Sequence, residues 1–197
     1  VAVGDNVDPA RIGERVLVEP VFCGARRYDI LYFGSEVDGG FADYTCVPSV
    51  HAHRVESALS DIELASFPCA YGTAENILTR INVQAGERVL ITGASGGVGS
   101  AAVQLAKRRG AEVIAMAADA KADSVRALGA SRVIPRDANL LSLFGQEYFD
   151  AAVDIVGGAQ FGEILNVLKR GGRYGVSGAI SGPVVDLDLR TLYLKDL

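Results

Sequence analysis

The stretch "LITGASGGVGSAA", residues 90–102, decides the fold predicted for this chain. An apolar run ends at Gly93, three closely spaced glycines follow, and the chain then becomes rich in alanine. This order predicts a strand, a tight turn and a helix. The N–H groups in the first turn of a helix have no partner within the helix, and with the helix dipole they form a site for an anion. The stretch therefore predicts a phosphate-binding turn.

Two glycines of this turn fit the fingerprint of dinucleotide-binding folds. Gly96 lets the backbone approach a pyrophosphate, and Gly99 lets the helix pack closely on the strand. Ala94 stands where the fingerprint has its first glycine. A glycine cluster can also form a plain structural turn, but a strand before it and a helix after it are the context that the motif requires. We therefore expect a dinucleotide to bind here.

Strands and helices alternate from about Ser66 onward. Predicted helices cover residues 66–81, 98–110, 121–130 and 158–172, and predicted strands cover residues 87–93, 111–117, 132–135, 149–157 and 173–179. The strands are almost continuously apolar, as expected for a parallel sheet covered by helices on both faces. The pattern predicts an α/β fold, a doubly wound Rossmann sheet, over residues 66–197.

The first 65 residues have a different pattern. Short β-type runs at residues 15–22, 39–48 and 52–56 are separated by turn residues, and helical periodicity is missing. Residues 1–65 are therefore predicted to form part of a small β-barrel-like domain.

Composition narrows the classes of function. The chain has 197 residues and a net charge of −5, which disfavours a nucleic-acid partner held by a basic face. No apolar run reaches the roughly 18 residues of a membrane helix, so no membrane partner is expected. The three cysteines are odd in number and far apart, which does not suggest a disulfide framework. We expect a cytoplasmic protein.

The residues after the second strand of the Rossmann pattern bear on the choice of dinucleotide. NAD-binding folds carry an acid here, which binds the ribose 2′-hydroxyl. Ala117 and Ala118 occupy the position instead, and Lys121 follows, where it can pair with a 2′-phosphate or remain solvated. NADP(H) is therefore favoured over NAD(H), although Asp119 offers a carboxylate two residues later.

Several segments resemble the medium-chain dehydrogenase/reductase superfamily, which includes zinc-type alcohol dehydrogenases, and most of all its quinone-oxidoreductase-like branch. They are "GERVLITGASGGVGSAAVQLAKRRGAEVIA" at residues 86–115, "DGGFADYTCVPSVHAHRV" at 38–55 and "GERVLV" at 13–18. The resemblance implies that residues 1–65 belong to a GroES-like β-barrel domain. It also implies that the chain is a fragment, which lacks the first barrel strands and the last strand of the Rossmann sheet and is inactive alone.

The resemblance also assigns cofactor-binding residues. It implies that the turn approaches the pyrophosphate, that a threonine lies near the nicotinamide, and that two strand ends flank the ribose and the nicotinamide. The residues concerned are Ser95, Gly96, Gly97 and Val98 for the turn, Thr73 for the nicotinamide, and Val156, Gly157, Ser177 and Gly178 for the strand ends. With Gly99 and Lys121 they form the predicted cofactor site. The strand-end residues can also form ordinary turns.

Zinc is the less favoured cofactor. Cys69 lies four residues before Thr73, at a position that the resemblance matches to a cysteine ligand of zinc-containing members. A lone cysteine is more often a small hydrophobic residue than a ligand. His51 and His53 lie on one face of a β-type run, where they can form a metal pair or a proton relay, or remain solvated.

The favoured hypothesis is an oxidoreductase that transfers hydride from NADPH to a carbonyl, a quinone or an activated alkene. Tyr71 is the candidate donor to the developing oxyanion if it faces the cleft with Thr73, and otherwise a core tyrosine. The alternatives are a zinc-dependent alcohol dehydrogenase and a non-catalytic dinucleotide sensor, because a fold does not fix a function. The resemblance implies a small-molecule substrate and a homodimer of the intact protein.

Overall fold

The computed structural model describes residues 2–23 and 29–197. The chain divides into two compact units, Val1–Cys69 and Ala70–Leu197. Compactness identifies a unit but not its family, so the domain assignment to residues 1–65 and 66–197 remains a prediction.

The first unit contains two small antiparallel sheets. One pairs β1 with β4 and the other pairs β2 with β3. The strands are β1 (Val16–Val18), β2 (Val21–Cys23), β3 (Ile30–Tyr32) and β4 (Ala52–Arg54), and a short helix, α1 (Asp61–Ala65), follows. Ser60 and Glu63 form a reciprocal capping box at the start of this helix.

The β-type runs at residues 15–22 and 52–56 contain strands, but the run at residues 39–48 does not. These residues form bends and irregular backbone, and nearly all of them are exposed. The strand prediction for residues 39–48 is therefore wrong. The segment contains two glycines, which lower its β-propensity, and none of its described residues pairs with a strand that would compensate for them.

The second unit is built on a parallel sheet with the strand order β7-β6-β5-β8-β9. Its strands are β5 (Arg88–Ile91), β6 (Glu112–Met116), β7 (Arg132–Ile134), β8 (Phe149–Asp154) and β9 (Leu168–Val176). Its helices are α2 (Phe67–Arg80), which starts in the first unit, α3 (Gly97–Arg108), α4 (Ala122–Ala127), α5 (Leu140–Phe144), α6 (Phe161–Val167) and α7 (Leu189–Lys195). The predicted α/β fold is confirmed.

Alternate residues of the strands face opposite sides of this sheet. Val89 and Ile91 pack into one buried cluster with residues of α2, α3 and α4, whereas Leu90 packs into another with residues of α5 and α6. Helices therefore cover both faces, which is why the strands are apolar throughout. Among the described residues, no helix is long and apolar enough to span a membrane.

The largest difference from the predicted elements lies between α6 and β9. The helix predicted over residues 158–172 ends at Val167, and buried Leu168 already pairs with Phe149 of β8. The next pair of the ladder joins Arg173 to Ala151, so residues 169–172 bulge out of β9. Sequence periodicity alone does not separate a buried helix end from an adjoining buried strand.

Candidate functional site

A cleft of about 1090 Å³ opens at the carboxyl ends of the parallel strands. Residues that follow β5, β6, β7 and β8 line it, including Ser95, Ala118, Arg136 and Val156. The strand order reverses between β5 and β8, and the crevice at such a point is the ligand site of open α/β sheets. The fold therefore places the glycine turn of residues 93–99 at the expected binding site.

The glycine turn presents free backbone donors. The first helical bond of α3 runs from the N–H of Ser100 to the carbonyl of Gly96, at 2.8 Å, so the N–H groups of Gly97, Val98 and Gly99 precede it. Ser95 and Gly96 line the cleft, and Gly97 is exposed. Free N–H groups at the positive end of a twelve-residue helix fit an anionic pyrophosphate.

Gly99 differs from the other glycines of the turn because it is buried. A Cβ atom added there would lie 2.1 Å from the carbonyl oxygen of Gly93, whereas at Gly96 it would meet the same oxygen at 3.4 Å. Gly99 therefore allows α3 to pack directly on the turn, and Gly96 leaves the cleft open. The residues of this turn fit a dinucleotide.

The side of the cleft near β6 and β7 contains both signs of charge. Ala117, Ala118 and Asp119 line it after β6, and Arg136 lines it after β7. Arg136 is the one cation among the described residues of the lining, and it makes no hydrogen bond or ion pair with the described part of the chain. Lys121 is exposed but does not line the cleft.

The other side of the cleft is a pair of packed turns. Val156 and Gly157 line the cleft after β8, whereas Ser177 and Gly178, after β9, do not. The N–H of Ser177 donates to the carbonyl of Asp154 at 3.0 Å, and a Cβ added at Gly178 would lie 2.1 Å from the carbonyl oxygen of Ile155. Ser177 and Gly178 therefore hold the two turns together, and Ile180 and Ser181 reach the cleft instead.

A buried carboxylate lies behind these turns. Asp154 is 1% exposed, and its Oδ1 accepts hydrogen bonds from the hydroxyl of Thr92 and from the N–H groups of Val156 and Gly157. Its Oδ2 accepts a bond from the Tyr174 hydroxyl at 2.7 Å. Burial, together with this bond, raises the pKa of Tyr174, which keeps the hydroxyl protonated as a donor.

Three predicted site residues lie on α2, and none of them lines the cleft. The Tyr71 hydroxyl accepts a hydrogen bond from Nε2 of Gln104 at 2.8 Å, and its ring packs against the buried cluster. Thr73 is half-buried. Cys69 is an exposed free thiol. The catalytic role of Tyr71 and the metal role of Cys69 remain predictions.

The two histidines share one carboxylate in the first unit. His51 Nδ1 lies 3.1 Å and His53 Nε2 lies 3.3 Å from Oε2 of Glu19, and the His51 ring stacks on Phe22. The hydrogen bond with His51 lowers the pKa of Glu19. Among the described residues, no group of three or more His, Cys, Asp or Glu side chains is arranged to hold a metal ion.

Two residues of this region, Arg136 and Asp154, were not predicted. Arg136 directly follows the predicted strand at residues 132–135, and the carboxyl ends of parallel strands form the ligand crevice, so examining the polar residues at every strand end would have found it. Asp154 lies inside the predicted strand at residues 149–157 and ends β8 only in the structure, so its signal was a charged residue within an apolar run.

The comparisons with known proteins agree with this class of fold and site. The family model described as zinc-binding dehydrogenase matches residues 97–197. Acryloyl-coenzyme A reductase of Metallosphaera sedula is 34% identical over 185 residues, which cover 91% of this chain and 53% of that protein. A Bacillus subtilis protein assigned as a quinone oxidoreductase, YhfP, is 37% identical over 82% of this chain and 52% of its own length.

A solved structure assigned as an alcohol dehydrogenase of Sinorhizobium meliloti 1021 is also similar. It is 48% identical, with a TM-score of 0.91, over 99% of this chain and 56% of that chain. A cobalt- and zinc-bound alcohol dehydrogenase from Pyrobaculum aerophilum is 34% identical, with a TM-score of 0.84, over 98% of this chain and 61% of that chain.

The fold and the cleft define a dinucleotide-binding type of α/β protein. The chain belongs to the zinc-binding dehydrogenase family, within the medium-chain dehydrogenase/reductase superfamily, and the resemblance found in the sequence is confirmed. It spans about half the length of the two curated relatives described above.

Proposed function

We propose that the intact protein is an NADPH-dependent oxidoreductase that transfers hydride to a carbonyl, a quinone or an activated alkene. The observation that carries this proposal is the cleft at the switch point, which is lined by Ser95 and Gly96 directly before α3 and by alanines where NAD-binding folds have an acid. Relatives named as an acryloyl-coenzyme A reductase and as a quinone oxidoreductase support the substrate class.

Each part of the cleft has a role in this proposal. Ser95 and Gly96, which line the cleft, bind the pyrophosphate together with the N–H groups of Gly97, Val98 and Gly99, which precede the first helical bond of α3. Val156 and Gly157 orient the nicotinamide half. The bound dinucleotide supplies the hydride, and the protein supplies orientation and a hydrogen bond to the developing oxyanion.

The preference for NADPH depends on charges near the adenosine ribose. Ala117 and Ala118 present no carboxylate to a 2′-phosphate, and Arg136 adds a free guanidinium to the same side of the cleft. Lys121 is near in sequence but outside the lining, so we assign it the smaller contribution. Asp119 opposes this preference, because a carboxylate in the lining can bind the 2′-hydroxyl of NADH.

Binding of the two dinucleotides to the intact protein tests the cofactor. We expect NADPH to raise the melting temperature more than NADH at equal concentration, and Arg136→Ala to reduce that difference more than Lys121→Ala does. A larger shift with NADH, which disappears in Asp119→Asn, contradicts the NADPH assignment.

Turnover tests the reaction. NADPH oxidation is followed at 340 nm with panels of quinones, enones, enoyl thioesters and aldehydes. Oxidation with at least one panel supports the proposal. Tight binding of NADPH without turnover on any of them favours a non-catalytic sensor.

A zinc-dependent alcohol dehydrogenase is the second candidate. The similarity to a zinc-bound alcohol dehydrogenase and the exposed thiol of Cys69 favour it. A catalytic zinc needs three protein ligands and an open position. Stoichiometric zinc in the intact protein, lost in Cys69→Ala but kept in Cys46→Ala, would establish this candidate over the first. Cys46 is a matched control because it is also an exposed free cysteine.

Two further properties belong to the same proposal. We place the protein in the cytoplasm, because its three cysteines do not suggest a disulfide framework. We also propose that the intact protein is a homodimer, as the family resemblance implies, and its mass in solution tests this assembly.

A further inference from the structure

We propose that Asp154 is a positioning residue for the nicotinamide half of the cleft, an inference that rests on the proposed function. Its carboxylate is buried, lies at the end of β8 and is not part of the cleft lining. It therefore acts through the turn that follows it.

The carboxylate fixes the backbone of that turn. Oδ1 of Asp154 accepts the N–H of Val156 at 2.9 Å and the N–H of Gly157 at 3.0 Å, and both of these residues line the cleft. Bonds from one carboxylate oxygen to two successive N–H groups hold the peptide planes in a single orientation. A charged acceptor also makes each bond stronger than a neutral one.

The same carboxylate joins three strands. The Thr92 hydroxyl, after β5, donates to Oδ1 at 2.6 Å and accepts the N–H of Ile155 at 2.9 Å. The Tyr174 hydroxyl, on β9, donates to Oδ2 at 2.7 Å. Because these donors come from the strands on either side of β8, the position of the turn is fixed relative to the whole switch point.

The place of this turn determines which half of the ligand it affects. A dinucleotide lies across the switch point, with its pyrophosphate at the start of α3 and its adenosine ribose at the end of β6. Its other half therefore lies over the ends of β8 and β9. Loss of the Asp154 carboxylate leaves the N–H groups of Val156 and Gly157 without their acceptor and releases that turn. The Thr92 hydroxyl loses its acceptor too, but the backbone of Thr92 stays held by its N–H bond to the carbonyl of Val153 at 3.0 Å.

The test compares two ligands on the intact protein. The full ligand is NADPH, and the partial ligand is 2′-phospho-ADP-ribose, which lacks the nicotinamide. We expect Asp154→Ala to weaken NADPH binding by about 10- to 100-fold, the size of effect expected when one or two hydrogen bonds to the ligand are lost or left unpaired. Affinity for 2′-phospho-ADP-ribose should stay within about twofold, because its half of the cleft does not depend on this turn.

Asp150→Ala is the matched control. Asp150 lies on the same strand, and its carboxylate also accepts a backbone N–H, that of Arg88 at 2.8 Å, and contacts Lys169. It lies near the other end of β8, outside the cleft lining. Asp150→Ala should lower the melting temperature without changing either affinity. Asp154→Asn should restore NADPH binding to within about threefold, because an amide oxygen can accept both N–H groups.

If Asp154→Ala does not fold, Tyr174→Phe replaces it. This change removes the hydrogen bond to Oδ2 of Asp154, and Tyr174 itself does not line the cleft. NADPH binding should weaken by about threefold, and the affinity for 2′-phospho-ADP-ribose should not change. The positioning role is overturned if both ligands lose affinity equally, or if NADPH loses none. It is also overturned if Asp154→Asn binds NADPH as weakly as Asp154→Ala does. If the wild-type protein binds neither NADPH nor NADH, the proposed function falls, and this inference falls with it.

Discussion

The close packing of α3 on the glycine turn makes a quantitative prediction for Gly99→Ala. The added Cβ would lie 2.1 Å from the Gly93 oxygen, 2.7 Å from its carbonyl carbon and 2.8 Å from Cα of Ala94. All three are backbone atoms, so no side chain can rotate away. An ordinary contact needs a separation of about 3.4 Å, so the helix start and the turn must move apart by about 1.3 Å.

This displacement should cost about 3 kcal/mol of unfolding free energy, the upper part of the range for overpacked cores. For a chain of this size the melting temperature should fall by about 6–12 °C. Urea unfolding followed by circular dichroism measures the free energy, and a thermal scan measures the melting temperature. Binding of NADPH should weaken as well, because the N–H groups of the first helical turn move with the helix.

Gly97→Ala is the control within the same helix. A Cβ added there meets only Cβ of Ala70, at an ordinary 3.6 Å, and alanine favours a helix by about 0.5–1 kcal/mol over glycine. Gly97→Ala should therefore leave stability unchanged or raise it slightly. An unfolding free energy of Gly99→Ala within about 1 kcal/mol of the wild type, or an equal loss in both variants, would refute close packing of α3 as the role of Gly99.

Three other features give predictions. The lowered pKa of Glu19 contributes folding stability that is present above the unfolded pKa of 4.5 and is lost as the pH falls through the lower folded pKa. In Glu19→Gln the unfolding free energy should therefore fall less steeply with pH over this acidic range. Lys195 donates to the carbonyls of Leu165 and Asn166 at the end of α6, and Lys195→Met should cost about 1–2 kcal/mol in urea unfolding. Tyr71→Phe should cost about 1 kcal/mol through the lost bond from Gln104. A fall in kcat for Tyr71→Phe that Gln104→Leu does not reproduce would support a catalytic role for this hydroxyl, whereas equal effects would make it a packing residue.

Local patterns were sufficient for most of the second unit. The strand, turn and helix at residues 88–108 were predicted because the hydrophobic pattern changes from that of a strand to that of a helix within a few residues of a glycine cluster. The end of α6 was not predicted, because the apolar residues Val167 and Leu168 stand on either side of the change from helix to strand and no glycine or proline marks it. Only pairing with β8 decides where that change falls, and β8 lies more than ten residues earlier in the sequence.

Part of the candidate site could likewise be predicted from the sequence, and part of it depends on the tertiary structure. Gly96 was predicted from its own neighbours in sequence and Ser95 was assigned by resemblance, and both line the cleft. Ser177 and Gly178 were assigned by resemblance, and the structure uses them to pack one turn against another. Their position next to the β8 turn depends on the sheet and not on their own sequence.

The sequence by itself determined the class of fold and the position of the glycine turn, because both depend on residues close together along the chain. The tertiary structure alone decided which charges meet in the cleft. It brings Arg136 into the lining and leaves Lys121 outside, although Lys121 is closer in sequence to the alanines after β6. It also joins Thr92, Asp154 and Tyr174 through one buried carboxylate, because parallel strands bring together ends that the sequence separates by many residues.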